Sequence, residues 1–202
     1  MIKVIIFDLG QVVVRFDYER AFKKIVPCCK ASLEKIMTFF TRSEADRLFI
    51  EGKINSAMFF QAAKSELKFD MDIAQFSSLY NSIFEPNKNV EDIIVRLKDR
   101  YTLAALSNTN ELHFNYLMET FPVMKLFDTY ILSYKEKCQK PDPVIFQQTL
   151  SRLHSRAEEI IFIDDTKENV VAAKKLGINT IHYGLTTSRL VEELEMYGVK
   201  IS

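Results

Sequence analysis

The 202-residue sequence is poor in glycine and proline, with five of each, and so carries no flexible linker or low-complexity stretch. Its three cysteines, Cys28, Cys29 and Cys138, are too few for a disulfide framework, and the adjacent Cys28 and Cys29 are poor partners for each other. Charge of one sign is also missing. The 27 Lys and Arg balance 27 Asp and Glu, which leaves no electrostatic footprint for nucleic acid or an anionic membrane. The most apolar run, Val4 to Val14, is interrupted by Asp8 and falls far short of the roughly 20 residues of a membrane span. Only Lys3 precedes that run and no small-residue cleavage site follows it, so no signal peptide is expected. These absences predict a reduced, cytoplasmic protein with no nucleic-acid or membrane partner; oligomeric state is not readable. What the sequence does have is core material: 48% of residues are hydrophobic and 27% charged, enough for one packed domain or one domain with a smaller insertion.

Lys3-Val4-Ile5-Ile6-Phe7 is a continuous, largely β-branched run, the pattern of a strand buried on both faces of a parallel sheet. Similar runs recur at 101–106, 129–132, 160–163 and 179–183. Helical patterns separate them. Asn87 to Arg100 places Val90, Ile93, Ile94 and Leu97 on one face, Asp142-Pro143 opens a helix with Phe146, Leu150 and Leu153 inward, Glu168 to Leu176 ends at Gly177, and Thr187 to Tyr197 is the last. Strands alternating with helices predict a doubly wound α/β fold, a Rossmann-like parallel sheet. Residues 17–85 show no strand, only helical patterns such as Ser32 to Phe40, Asn55 to Leu67 and Asp72 to Ile83. They read as a helical insertion after the first strand, with the core formed by 1–16 and 86–202. An insertion there is placed to cover a site.

Ligands of open α/β sheets bind at the carboxyl ends of the strands. Asp8 follows the first strand, Ser107-Asn108-Thr109-Asn110 the second, Lys140-Pro141 comes shortly after the third, and Asp164-Asp165 end the fourth with Asn169 close behind. Three carboxylates, a hydroxyl, an amide and an ammonium suit a hard cation together with a phosphate. No Gly-x-Gly-x-x-Gly or Gly-x-x-x-x-Gly-Lys pattern is present, so dinucleotide and P-loop readings have no support.

In order, Phe7-Asp8-Leu9-Gly10, Leu106-Ser107-Asn108, Lys140-Pro141-Asp142 and Phe162-Ile163-Asp164-Asp165 resemble the four motifs of the haloacid dehalogenase-like hydrolase superfamily, mostly Mg²⁺-dependent phosphatases. The resemblance covers essentially the whole chain, the helical cap included. It implies a phosphomonoesterase acting on a small phosphorylated metabolite, with a small-molecule phosphate ester as partner and Mg²⁺ as cofactor. Asp8 would be the nucleophile that forms an aspartyl-phosphate. Its carboxylate and the Gly10 carbonyl would bind Mg²⁺, with Asp165 a direct ligand and Asp164 direct or through water. Ser107, the Asn108 backbone and Lys140 would hold the phosphoryl group, next to the loop of Leu9 and Gly10.

One position departs from the family pattern. The usual first motif is Asp-x-Asp, whose second Asp protonates the leaving oxygen; here that place is Gly10. The Asp-x-Gly form resembles a bacterial subgroup that includes sugar-1-phosphate phosphatases. General acid catalysis is typically worth 10²–10⁴ in rate, so a preference for less basic leaving groups is expected. Two alternatives stand beside this reading: a 2-haloacid dehalogenase, and a non-catalytic protein that binds a phosphorylated metabolite or a protein partner. Asp17, before Tyr18-Glu19-Arg20, suits a helix N-cap better than a substitute acid. Asn169 is expected to orient the acidic loop, and His113, His154 and His182 to be structural. Met37, Phe39, Phe40, Met58, Phe59 and Phe60 are expected in the cap core. Arg42, Glu44, Asp46 and Arg47 fit a solvated helix face as well as a substrate-reading one, and Glu51-Gly52-Lys53 reads as a turn between cap helices.

Overall fold

Val4–Phe7 forms the central strand β1 of a five-stranded parallel sheet, because apolar side chains on both of its faces need helices on both sides. The computed structural model describes residues 1–184 and 186–201. In chain order, the other strands are β2 (Val14–Phe16), β3 (Phe84–Pro86), β4 (Thr102–Ser107), β5 (Thr129–Leu132), β6 (Ile160–Asp164) and β7 (Asn179–His182). The main sheet runs β5-β4-β1-β6-β7, with Val4 opposite Thr102 on one side and Ile160 on the other. The order reverses at β1, so β1 and its two neighbours flank the crevice where such sheets bind ligands.

The period of two along the strands divides the core. Ile5, Phe7, Leu103, Ala105, Ile161 and Ile163 face helices Lys88–Leu97, Glu111–Thr120 and Thr187–Met196. Val4, Ile6, Ala104, Leu106, Ile160 and Phe162 face helices Pro143–Leu153 and Lys167–Lys175. Of the Pro143–Leu153 helix, Ile145 and Phe146 are fully buried, while Leu150 and Leu153 are partly so.

Between β2 and β3 the chain forms a separate helical layer around its own aromatic cluster of Phe22, Phe40, Phe49, Phe59, Phe76 and Tyr80, all at most 2% exposed. Phe39 and Phe60 join it. Met58 does not: it is 54% exposed, because it falls on the outer face of the Ser56–Leu67 helix. Two features differ from the sequence expectation. Phe84–Pro86 is a strand, antiparallel to β2 with Phe16 opposite Phe84; three residues ending in proline are too few to show an alternation. Glu44–Ile50 is a helix that buries Asp46, where a solvated face was equally expected; Arg42, Glu44 and Arg47 are exposed.

The helical layer is fastened to the sheet. Ser133 Oγ donates to the Ile50 carbonyl at 2.8 Å, and Lys137 Nζ donates to the Gly52 carbonyl at 2.6 Å. Gly52 has φ +61°, and a Cβ there would sit 1.9 Å from the Tyr134 carbonyl oxygen. The turn at Glu51-Gly52-Lys53 therefore requires glycine on both counts.

Candidate active site

Asp8 leaves β1 with its N–H donated to the Ile163 carbonyl at 2.8 Å, one more rung of the ladder with β6. That rung places it beside Asp164 at the end of β6. Lys140 enters from the loop after β5, and its ammonium, 1% exposed, lies between the two acids: 2.9 Å from Asp8 Oδ1, 2.6 Å from Asp164 Oδ2 and 2.8 Å from the Leu106 carbonyl. Its three protons thus meet three acceptors. Asn108 fixes the loop, its Nδ2 donating to the Lys140 carbonyl at 2.8 Å while its Oδ1 accepts the Lys140 N–H at 2.8 Å. The sequence reading assigned Asn108 only its backbone; the side chain serves to position Lys140.

Asp164 is fully buried and its oxygens are fully used. Oδ1 accepts from Thr166 N at 2.8 Å and Asn169 Nδ2 at 3.0 Å, and Oδ2 accepts from Asn169 at 3.1 Å and from Lys140. Asn169 orients the acidic loop, as expected. A carboxylate offers about four acceptor positions, so Asp164 has no lone pair left over, in contrast to Asp165, which is half-buried beside it. His182 Nε2 lies 2.9 Å from the Asp165 carbonyl oxygen and holds that loop from the side of β7.

A cavity of about 180 Å³ opens over these groups, lined by Asp8, Gly10, Ser107, Asn108, Lys140 and Asp165, with Thr166 and Asn169 at one side and the Phe16 and Tyr18 rings above. The Ser107 hydroxyl faces it with no hydrogen-bond partner among the described residues. Leu9 is in a different position: its side chain is in the sheet core, 1% exposed, its N–H donates to Asp8 Oδ1 at 2.7 Å and its carbonyl accepts the Val13 and Val14 N–H groups, so it orients Asp8 and, contrary to the sequence expectation, has no group free for a substrate. Phe16 and Tyr18 had no signal in sequence. They reach the site because the β2–β3 ribbon curls back over Gly10, and that ribbon was not legible.

Burial pushes the Asp8 carboxyl up to about 6, against the pull of Lys140 and with a push from Asp164. Burial and then Asp164 also raise Asp165. Burial would lower Lys140, but Asp8 and Asp164 outweigh it and hold the ammonium above its ordinary range. Three carboxylates against one ammonium leave two negative charges uncompensated. Oxygens of Asp8, Asp164 and Asp165 lie within 4.8 Å of one another. A hard, oxygen-preferring divalent cation fits that donor set. The other histidines are elsewhere: His113 is buried against Tyr80, and His154 ends the Pro143–Leu153 helix.

Comparison with known proteins follows the same lines. Residues 5–183 match the family described as haloacid dehalogenase-like hydrolase. The chain is 26% identical over 187 residues to a D-ribitol-5-phosphate phosphatase of Bacteroides thetaiotaomicron, covering 89% of this chain and 91% of that one. It is 26% identical over 198 residues to a sesquiterpene phosphatase of Aspergillus oryzae, covering 97% of each. Among solved structures, a wild-type enzyme of the same family from Bacteroides thetaiotaomicron, in complex with magnesium and inorganic phosphate, superposes with a TM-score of 0.79 at 28% identity, over 90% of this chain and 93% of that one.

Proposed function

The chain belongs to the haloacid dehalogenase-like hydrolase family, and from that premise we propose that it is a Mg²⁺-dependent phosphomonoesterase acting on a short phosphorylated sugar or polyol. Asp8 is the nucleophile. Its carboxylate attacks phosphorus, the ester oxygen departs, and water then opens the aspartyl-phosphate and returns Asp8. The free Ser107 hydroxyl, the Asn108 N–H and Lys140 hold the phosphoryl oxygens beside the main chain of Gly10, while the Leu9 N–H holds Asp8 Oδ1. Asp8, the Gly10 carbonyl and Asp165 would hold Mg²⁺, with Asp164, its lone pairs already taken, holding Lys140 and the acidic loop in place rather than the ion or its water. The bound cation would offset the repulsion between the carboxylate and the phosphate dianion. The observation that carries this reading is Lys140 joining Asp8 to Asp164 at a cavity of about 180 Å³ that has room for a phosphoryl group.

Residues 17–85 form the cap in this proposal, and 1–16 with 86–202 the core. The organic part of the substrate extends toward a second cavity between cap and core, lined by Thr41, Arg42, Ser43, Glu44, Asp46 and Gln139. Its charged side chains, Arg42, Glu44, Asp46 and Arg47, beside the single aliphatic Ile50, favour a hydroxylated group over a terpenyl one. The three cysteines are free, and no helix among the described residues is long and apolar enough to cross a membrane. Both support a reducing, cytoplasmic setting in this proposal.

The test is phosphate release from D-ribitol 5-phosphate, sugar 1- and 6-phosphates, a farnesyl phosphate and p-nitrophenyl phosphate, with Mg²⁺ and with chelator. Release should need Mg²⁺ and fall roughly 10³-fold or more in Asp8→Asn. Mg²⁺-independent release, or release that survives Asp8→Asn, refutes the mechanism. Farnesyl phosphate as the best substrate refutes the substrate class.

A further inference from the structure

The proposed reaction leaves one proton without a carrier. An alkyl phosphate expels a strongly basic alkoxide, which needs a proton in the transition state. Gly10 has none to give, and the Phe16 ring lies where a side chain at position 10 would project. Asp17 is exposed, and its Oδ1 accepts the Arg20 N–H at 2.9 Å as the cap of the Tyr18–Phe22 helix.

Asp46 is placed differently. It lies on the Glu44–Ile50 helix of the cap, 7% exposed. Among the described residues its carboxylate has neither a hydrogen-bond donor nor a counterion. It lines a cavity of about 560 Å³ shared with Arg42, Glu44, Arg47 and Gln139, and Gln139 is the neighbour of Lys140. Its charge also acts on the Tyr18 and Tyr80 hydroxyls, and Tyr18 lines the cavity over Asp8. Asp46 therefore opens onto the cavity that holds the organic group in the proposed reading, beside the residue that precedes Lys140 and within electrostatic reach of the Tyr18 ring that lines the cavity over Asp8. A buried carboxylate with no partner is costly to the fold, and such costs concentrate at functional sites. Burial pushes its carboxyl up to about 7, so at neutral pH it both holds and releases a proton.

We propose that Asp46 is the leaving-group acid of this enzyme, supplying from the cap the proton that the first motif cannot supply. As Asp8 bonds to phosphorus and the ester P–O bond breaks, the Asp46 proton passes to the departing oxygen and leaves an alcohol. The Asp46 carboxylate then takes a proton from the water that opens the aspartyl-phosphate, which resets both acids. This inference rests on the phosphatase reading and removes the expected preference for less basic leaving groups.

The experiment compares kcat for the Mg²⁺-loaded wild type, Asp46→Asn and Asp17→Asn on two esters: p-nitrophenyl phosphate, whose leaving group needs no proton, and whichever alkyl phosphate the wild type turns over fastest. Asp46→Asn should lose about 10²–10⁴-fold on the alkyl ester, with a loss on the aryl ester at least tenfold smaller. Asp17→Asn should leave the alkyl-to-aryl ratio at the wild-type value. Equal losses on the two esters, or no loss on the alkyl ester, overturn the proposal. A measurement on the wild type guards against a variant that fails to fold: its alkyl-to-aryl ratio should drop about tenfold per pH unit above pH 7, and a flat ratio overturns the proposal. A wild type with no Mg²⁺-dependent release from any ester overturns the phosphatase reading itself.

Discussion

Putting a carboxylate back at position 10 tests how the first motif is packed. A Cβ at Gly10 would lie 2.8 Å from Phe16 Cε1 and 3.5 Å from Cδ1. Ordinary contact begins near 3.4 Å, so the ring must withdraw by about 0.6 Å, the difference, before the carboxyl group is added. Its ring contacts oppose that movement on the ribbon side. Phe16 is paired with Phe84 across the ribbon, and its ring lies 4.8 Å from that of Tyr18 and 6.4 Å from that of Phe84. Overpacking of this kind costs about 1–3 kcal/mol. Gly10 is outside the left-handed region, so its backbone does not oppose a side chain. Replacing glycine at such a site would by itself stabilise by about 0.4–1 kcal/mol through the unfolded chain. A net loss in Gly10→Asp then combines the clash with Phe16 and the repulsion of the new carboxylate by Asp8, Asp164 and Asp165, and the coupling to Phe16 separates the two. At this chain length the net loss should lower Tm by roughly 2–10 °C. In Gly10→Asp/Phe16→Ala the ring is gone, and urea unfolding of the four proteins of the cycle should give a favourable coupling of about 1–2 kcal/mol. A Gly10→Asp protein as stable as wild type, or single-variant losses that simply add, would show that Phe16 does not occupy the place of the missing side chain.

Two further expectations concern buried charge. Lys140→Met leaves Asp8, Asp164 and the Leu106 carbonyl without their shared donor and should cost about 3–5 kcal/mol in the Mg²⁺-free protein by chemical denaturation; a loss under about 1 kcal/mol would refute the structural role of the ammonium. His113 is held neutral, its pKa lowered by burial to about 3 from an ordinary 6.5. The unfolded chain therefore binds a proton that the folded one refuses, so stability falls as pH drops from about 6.5 toward 3, by up to about 5 kcal/mol (3.5 units at 1.36 kcal/mol each). The difference in unfolding free energy between wild type and His113→Phe, followed across that window, should shrink toward low pH, and a constant difference would contradict the assignment.

Sequence made the sheet legible because its three central strands are buried on both faces and so spell nearly continuous apolar runs, with the partly exposed edge strands β5 and β7 placed by the helices between them, and a strand end can be searched for chemistry once the strand is placed. Asp8, Ser107, Asp164 and Asp165 stand at such ends and Lys140 in the loop that follows one, and the structure gathers them at one cavity, with Asp164 held behind it by Lys140. The cap was legible only as helices. Ser43-Glu44-Ala45-Asp46-Arg47 looks solvated because its charges show no apolar period. Asp46 is nevertheless buried, and its charge reaches the distant Tyr18 and Tyr80, a relation that no local pattern encodes. The saturation of Asp164 is hidden for the same reason, since its donors come from positions 140, 166 and 169. The ring of Phe16 over Gly10 depends on a ribbon closed across 68 residues, from Phe16 to Phe84.

That ribbon bears on how such a protein diversifies. Phe16 and Phe84 face each other across an antiparallel pair, so the chain leaves the sheet domain and returns to it at points only about 4.5–5.5 Å apart. To the core, the whole helical layer is a single loop with nearly coincident ends. Insertions with such ends are the ones domains accept most readily. The groups that break the phosphate bond all lie outside that loop, and Asp46 and the lining of the second cavity lie inside it or against it. A different loop can therefore be spliced in without altering the span the core must bridge, and substrate choice, together with the source of the leaving-group proton, can be inherited as a cassette while the phosphoryl chemistry stays fixed.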